Sequence, residues 1–270
     1  MTTRILTAGM LFCALAFLAC EAAPPQQQEP PKRRFDPSLS HPRAVALANK
    51  VIKTANARRF FEDVRYLGFS LILKSSAGTS IENRHEWNLQ EGDYKVSWQE
   101  GDSSEFLVYF NFRNKQRRCF RNNRVISDST TASRVYGRAY ATFVRDSWWL
   151  LMPFKLKAPG TILHFLDARS IDGQDYDIVR MTFNRVGLTP ENIYDLYINR
   201  ASNRIDRIDY YRDSLTAPVT FYWSDWQEIG GYLFALRRTS ADGNSEIIFR
   251  DIDVSRNAAT GIFSSLPNHP

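Results

Sequence analysis

From residue 67 to residue 254 apolar residues fall on alternate positions in one short run after another. Leu67, Phe69, Leu71 and Leu73 make one run, Tyr94, Val96 and Trp98 another, and Phe106, Val108, Phe110 and Phe112 a third. Period two is the signature of a strand with one buried face. Gly-containing turns separate the runs, as at Glu91-Gly92-Asp93, Gly101-Asp102, Asp172-Gly173 and Asp242-Gly243. Turns this short join antiparallel neighbours, because a parallel pair needs a long crossover. The pattern therefore predicts an α+β chain, mainly antiparallel β, with about ten or eleven strands and no βαβ alternation. A sheet of that size must curl, and its concave face must be covered.

The alternation breaks for long only at residues 134–159, RVYGRAYATFVRDSWWLLMPFKLKAP. Tyr136, Tyr140, Phe143, Ser147, Leu150 and Leu151 recur there at helical spacing, with Arg134, Arg138 and Arg145 off that face. Ser133 is positioned to cap the start, and Pro153 ends the helix. A first helix is expected over 40–57, with Ala44, Leu47, Ala48, Val51, Ile52 and Ala55 as its stripe. The central helix is expected to plug the concave face of the sheet.

Residues 1–19 carry one Arg followed by an uncharged run, too short to span a bilayer and suited to a signal peptide. The run ends Phe17-Leu18-Ala19-Cys20, which resembles the bacterial lipoprotein signal. Cys20 is then the acylated first residue of the mature chain, anchoring it to the outer membrane and facing the periplasm. The alternative is an ordinary secretory signal cut after Ala22 or Ala23. Residues 20–36 are rich in Pro and Gln and read as an extended tether. Residues 37–270 are left as a single domain. Cys119 then stands alone, so no disulfide is expected within it. A net charge of +6 with both signs interleaved excludes a dedicated nucleic-acid surface but suits an anionic lipid surface.

Three phrases carry a family resemblance. They are the hairpin Leu196-Tyr197-Ile198-Asn199 with Arg204 to Tyr211, the segment Asp225 to Phe234, and the closing strand and tail from Phe249 to Phe263 and Pro267. Together they resemble the superfamily of periplasmic lipoprotein carriers and outer-membrane lipoprotein receptors, the LolA/LolB-like proteins, over roughly residues 40–267. The resemblance implies a half-open barrel with helices in its mouth and acyl chains held inside.

The side chains expected to line such an interior are Leu67, Phe69, Leu71, Trp87, Trp98 and Phe110 from the sheet and Tyr140, Phe143, Trp148 and Leu151 from the helix. No catalytic residue, metal ligand or cofactor is expected. Asp175 with Asp177, and Asp251 with Asp253, read as solvated strand faces. His41, His85, His164 and His269 have no metal-ligand spacing, and no nucleophile elbow is present. Arg113, Lys115, Arg117, Arg118, Arg121 and Arg124 form the densest basic run, either a solvated hairpin or a surface for anionic headgroups. The expected function is a lipid-anchored, non-enzymatic binding protein for acyl chains, lipoprotein or another apolar ligand. The alternative is an envelope assembly or scaffold factor with a self-filled cavity, docked to an envelope protein partner.

Overall fold

The computed structural model describes residues 34–78, 80–257 and 261–263. The signal segment, Cys20 and all of the tether before Arg34 lie outside the described residues. The tether's end does not stay extended in solvent. Phe35 packs against the main hydrophobic cluster and lies 5.6 Å from the Lys157 ammonium.

His41 caps α1 (Pro42–Thr54) by accepting the Arg43 N–H on Nδ1 at 3.2 Å. Asn56 in the left-handed region ends it, a conformation asparagine tolerates better than most residues. The expected span of 40–57 therefore shortens at both ends. A further turn, α2 (Phe60–Asp63), leads into the sheet.

Six strands follow: β1 (Tyr66–Ser75), β2 (Ser80–Asn88), β3 (Asp93–Glu100), β4 (Ser104–Asn111), β5 (Arg117–Arg121) and β6 (Arg124–Val125). Then comes α3 (Ser129–Leu151), with a 3-10 turn at Met152–Phe154. Seven more strands complete the chain: β7 (Thr161–Ile171), β8 (Gln174–Phe183), β9 (Ile193–Asn199), β10 (Ile205–Tyr211), β11 (Val219–Ile229), β12 (Tyr232–Ser240) and β13 (Ser245–Ser255). The described residues thus hold thirteen strands rather than ten or eleven. The basic hairpin expected over 117–126 about Asn122-Asn123 is present as β5 and β6.

All thirteen form one sheet in the order β6-β5-β4-β3-β2-β1-β13-β12-β11-β10-β9-β8-β7. Every pairing is antiparallel. The chain starts in the middle, walks out to β6, crosses to the far edge at β7, and walks back until β13 meets β1. That crossing is α3. Laid flat, thirteen strands would measure about 58 Å across at ~4.8 Å per gap. A helix of 23 residues is only about 34 Å long, and the residues after it are wound into turns. The sheet is a curled, half-open barrel, and α3 lies across its concave side. A bulge helps it bend. Between Gly68 and Ser70 the β1–β13 register slips by one residue, with Asp251 at φ 52° taking up the extra position.

The helix starts five residues before the sequence suggests. Asp128 is the cap, accepting the Thr131 N–H at 2.7 Å, and Ser133 sits exposed inside the first turns. The deepest line of the helix is also rotated in part from the expected one. Ser147, Leu150 and Leu151 of the expected face are buried, but in the first half the buried line is Val135, Ala139, Thr142 and Asp146, with Tyr136, Tyr140 and Phe143 half-buried beside it. Small residues on the contact line let the backbone approach the sheet, and the large rings wedge into the space alongside.

The candidate binding site under the central helix

The expected lining residues fall into two groups. Leu67, Phe69 and Leu71 on β1 and Leu151 at the end of α3 are all at most 1% exposed and belong to a large cluster. That cluster is closed by Ala44, Leu47, Ala48 and Val51 of α1, by Phe60 of α2, and by Met152 and Phe154 after α3. Phe60 meets Phe154 and Tyr232 edge-on, both at 4.9 Å. Trp148 packs at the rim of this cluster, against Phe183 at 5.3 Å and Tyr194 at 5.8 Å.

Trp98, Phe110, Tyr140 and Phe143 belong to a second, smaller cluster built by β3, β4, β5 and the first half of α3. Trp87 touches both clusters. Here Phe143 meets Tyr94 at 4.5 Å, Phe112 at 4.8 Å and Trp87 at 5.3 Å, and Phe110 meets Tyr136 at 5.6 Å. Aromatic rings thus occupy the space between the first half of the helix and the sheet. Phe112, the first residue after β4, is 37% exposed. It is the point at which this aromatic seam reaches solvent.

Between the two clusters lies a polar knot that the sequence did not single out. Asp146, wholly buried, accepts the Asn83 amide at 2.9 Å and meets His85 Nε2 at 3.0 Å, both on Oδ2. Its Oδ1 accepts Arg145 Nε at 2.6 Å. His85 Nδ1 meets the Tyr94 hydroxyl at 2.7 Å, and the Phe69 ring stacks on the imidazole at 4.4 Å. Burial alone would raise the pKa of Asp146. The Arg145 charge and the hydrogen bond from His85 outweigh it and hold the carboxyl below its ordinary value. In the Nε2–H tautomer of His85 every member is satisfied, with Nε2–H donating to the carboxylate and the tyrosine hydroxyl donating to Nδ1. Burial, then the nearby Asp146 charge, push the Tyr94 hydroxyl well above the usual phenol range. An Asp–His–Tyr chain resembles a proton relay, but Asp146, His85 and Tyr94 are each 0% exposed, so it cannot meet a substrate in this conformation. It fastens the middle of α3 to β2 and β3.

A second buried polar group fastens the end of the helix. Arg238 on β12 is 0% exposed, and its Nη2 donates to the Trp149 carbonyl at 2.9 Å. Its Nη1 donates to the Ala235 carbonyl, and its guanidinium lies 4.2 Å from Trp223 and 4.6 Å from Phe249. Its Nε has no partner among the described residues. Burial pulls its pKa down to about 9. The Trp149 carbonyl is among the last four of α3, which lack a helical donor, so a cation there also answers the helix dipole. His85 sits in the inward register of β2, beside Trp87. That placement was the one sequence signal for the knot. On β12 the alternation puts Arg238 in the inward register of Tyr232, Phe234 and Leu236, and that was its one sequence signal.

The paired aspartates do not face each other as acid and base. Asp177 is buried between Arg43 at 2.8 Å and Arg200 at 2.9 Å, and Asp251 accepts the Ser70 hydroxyl at 3.2 Å. Among the described residues no group of three or more His, Cys, Asp or Glu side chains is arranged to hold a metal ion. Cys119 is buried beneath α3, its thiol 3.5 Å from the Ala132 carbonyl, and burial pushes its pKa up to about 11. That is the setting of a packed, unreactive thiol.

No family model matches the chain, and no curated protein does. Among solved structures the chain is similar to a DUF1329 family protein from Desulfovibrio piger, with 13% identity and a TM-score of 0.49 over 83% of this chain and 98% of that one. It is similar to a LolA superfamily protein from Nitrosomonas europaea, with 14% identity and a TM-score of 0.44 over 77% and 93%. It is also similar to a putative outer membrane lipoprotein-sorting protein domain from Vibrio parahaemolyticus, with 13% identity and a TM-score of 0.44 over 81% and 94%. The superfamily that the sequence pattern resembles is thus represented among these structures.

Proposed function

We infer that this chain is a lipid-anchored envelope protein that binds acyl chains, or an acylated protein, between α3 and the concave face of its sheet. The supporting observation is the aromatic seam itself. Tyr136, Tyr140 and Phe143 are half-buried against Trp87, Phe110 and Phe112, and the seam opens to solvent at Phe112. Apolar surface held against the sheet by a single helix can exchange helix rings for ligand methylenes at little net cost. Each buried CH₂ contributes ~0.8 kcal/mol, so a dozen give about 10 kcal/mol before ordering costs. No bond is made or broken in such a function, and no cofactor is called for. Acylation of Cys20 would hold the protein at the outer membrane, on the periplasmic side.

A second reading has an observation of its own. In the conformation described, the space under α3 is filled by the protein's own rings, as a scaffold or assembly factor with a self-filled interior would require. Native mass spectrometry and lipid extraction of the purified full-length protein separate the two. A co-purifying amphiphile is the expected result. Ligand-free protein with no affinity for fatty acids or phospholipids would overturn the binding reading in favour of the scaffold.

A further inference from the structure

The basic run singled out in the sequence does not form a uniform solvated face. On β5 the residues alternate, and Cys119 points inward beneath α3. Arg117 and Arg121 share that register, two positions either side. Their guanidinium groups lie over aromatic rings of the concave side, Arg117 4.9 Å from the Tyr136 ring and Arg121 5.8 Å from the Phe106 ring. Between this hairpin and the first turns of α3 runs a groove. A cavity of about 360 Å³ lined by Arg117, Arg118, Phe120 and Ile126 adjoins one of about 580 Å³ lined by Arg121, Arg124 and Ile126. The two share Val125 and Ile126 in their linings. The strand that borders it, β6, is only two residues long and leaves the edge of the sheet open.

Three features of this groove belong together. Arg117, Arg121 and Arg124 have no carboxylate partner among the described residues. Arg121 donates only to the Ser104 hydroxyl, at 2.9 Å. The nearest acid in sequence, Asp128, is spent on the helix cap, where it accepts the Thr131 N–H at 2.7 Å. A guanidinium stacked on a ring has its face covered but its N–H edge free, and that edge matches two oxygens of a phosphate. Below the arginine rim the floor is apolar, with Cys119 5% exposed and Ile126 and Ala132 half-buried against the small cluster. Free phosphate has no use for such a floor, and a plain hydrocarbon has no use for such a rim.

We propose that the groove between the β5–β6 hairpin and the start of α3 binds the phosphate-bearing headgroup of an anionic amphiphile. Arg121 and Arg124, paired across the hairpin, hold the phosphate, Arg117 extends the basic rim, and the first methylenes of the chain lie on Ile126. This goes beyond the acyl-chain reading above. The groove is at the sheet edge, beside the aromatic seam, and its wall is formed by Thr131 and Ala132 in the first turn of α3.

Calorimetric titration of the full-length protein tests it with three probes: dihexanoyl phosphatidate, inorganic phosphate and dihexanoyl glycerol. Phosphatidate should bind more tightly than either of the others. The combined variant Arg117→Gln, Arg121→Gln, Arg124→Gln should weaken phosphatidate binding at least tenfold, since charge-assisted contacts to phosphate are lost at exposed positions where folding does not depend on them. Ile126→Ser should weaken phosphatidate binding and leave phosphate binding unchanged. Equal affinity for phosphatidate and inorganic phosphate would overturn the amphiphile assignment. Equal affinity of the wild-type protein and the triple variant for phosphatidate would overturn the site.

Discussion

The two hydrophobic clusters share one sheet and one helix but are closed differently. The large cluster, on β1 and β7 to β13, is covered by α1, α2 and the end of α3, and its side chains come from both aliphatic and aromatic residues. The small cluster, on β3 to β5, is covered by the first half of α3 alone, and its rings reach the surface at Phe112. Three covers lock a core, whereas one cover can move. The polar knot at Asp146 marks the boundary. The difference teaches where a ligand can enter a barrel that is otherwise filled: under the half of the helix that no other helix covers and that is pinned to β3 by Arg138, which pairs with Glu100 and lies 4.6 Å from the Trp98 ring.

The largest effect expected is in the locked half. Phe60→Ala removes a ring that meets Phe61, Phe154, Tyr232 and Phe234, and should cost about 4 kcal/mol in urea unfolding. Asp146→Ala should cost about 3 kcal/mol, because it strips His85 and Asn83 of a buried acceptor. The same residue gives the account a pH test. Its carboxyl is held below the usual value in the folded state, so the stability it supplies is present above the ordinary carboxylate pKa. That stability is lost as pH falls through the lowered folded value. Asp146→Asn should flatten that part of the acid limb. Phe143→Ala, in the half with one cover, should cost only about 1.5 kcal/mol, since the ring is already half-exposed. A loss as large as that of Phe60→Ala would erase the contrast between the halves. The smallest effect is kinetic. Amides of α3 from 132 to 143 should exchange with solvent faster than those of β1 and β12, read by hydrogen exchange.

Much of this was legible in the sequence, and the exceptions have physical causes. Period-two runs such as Tyr94, Val96 and Trp98 announce strands because each face of a strand sees one environment. The helical break at 134–159 was visible for the converse reason. The cap was misplaced because serine and aspartate are both good cap formers, and residues 129–133 carry no apolar stripe that would mark them as helical. The expected lining residues were all apolar and inward, yet they divide between two clusters, because a sequence shows which way a side chain points but not where along a curled sheet the helix touches down. Arg238 and Asp146 escaped notice for a related reason. A polar residue at an inward position looks like an ordinary surface residue until its buried partners are known.

The central claim is that acyl chains enter under the first half of α3 and displace its rings. A fatty acid brominated along its chain, titrated into the full-length protein, tests this through tryptophan emission, since Trp87 lies 5.3 Å from Phe143 in the seam. The account predicts saturable quenching that is reduced in Trp87→Phe and largely lost when Trp98, in the same cluster, is also replaced by Phe. Emission unchanged by the brominated chain, or quenching that persists undiminished without Trp87, would contradict it.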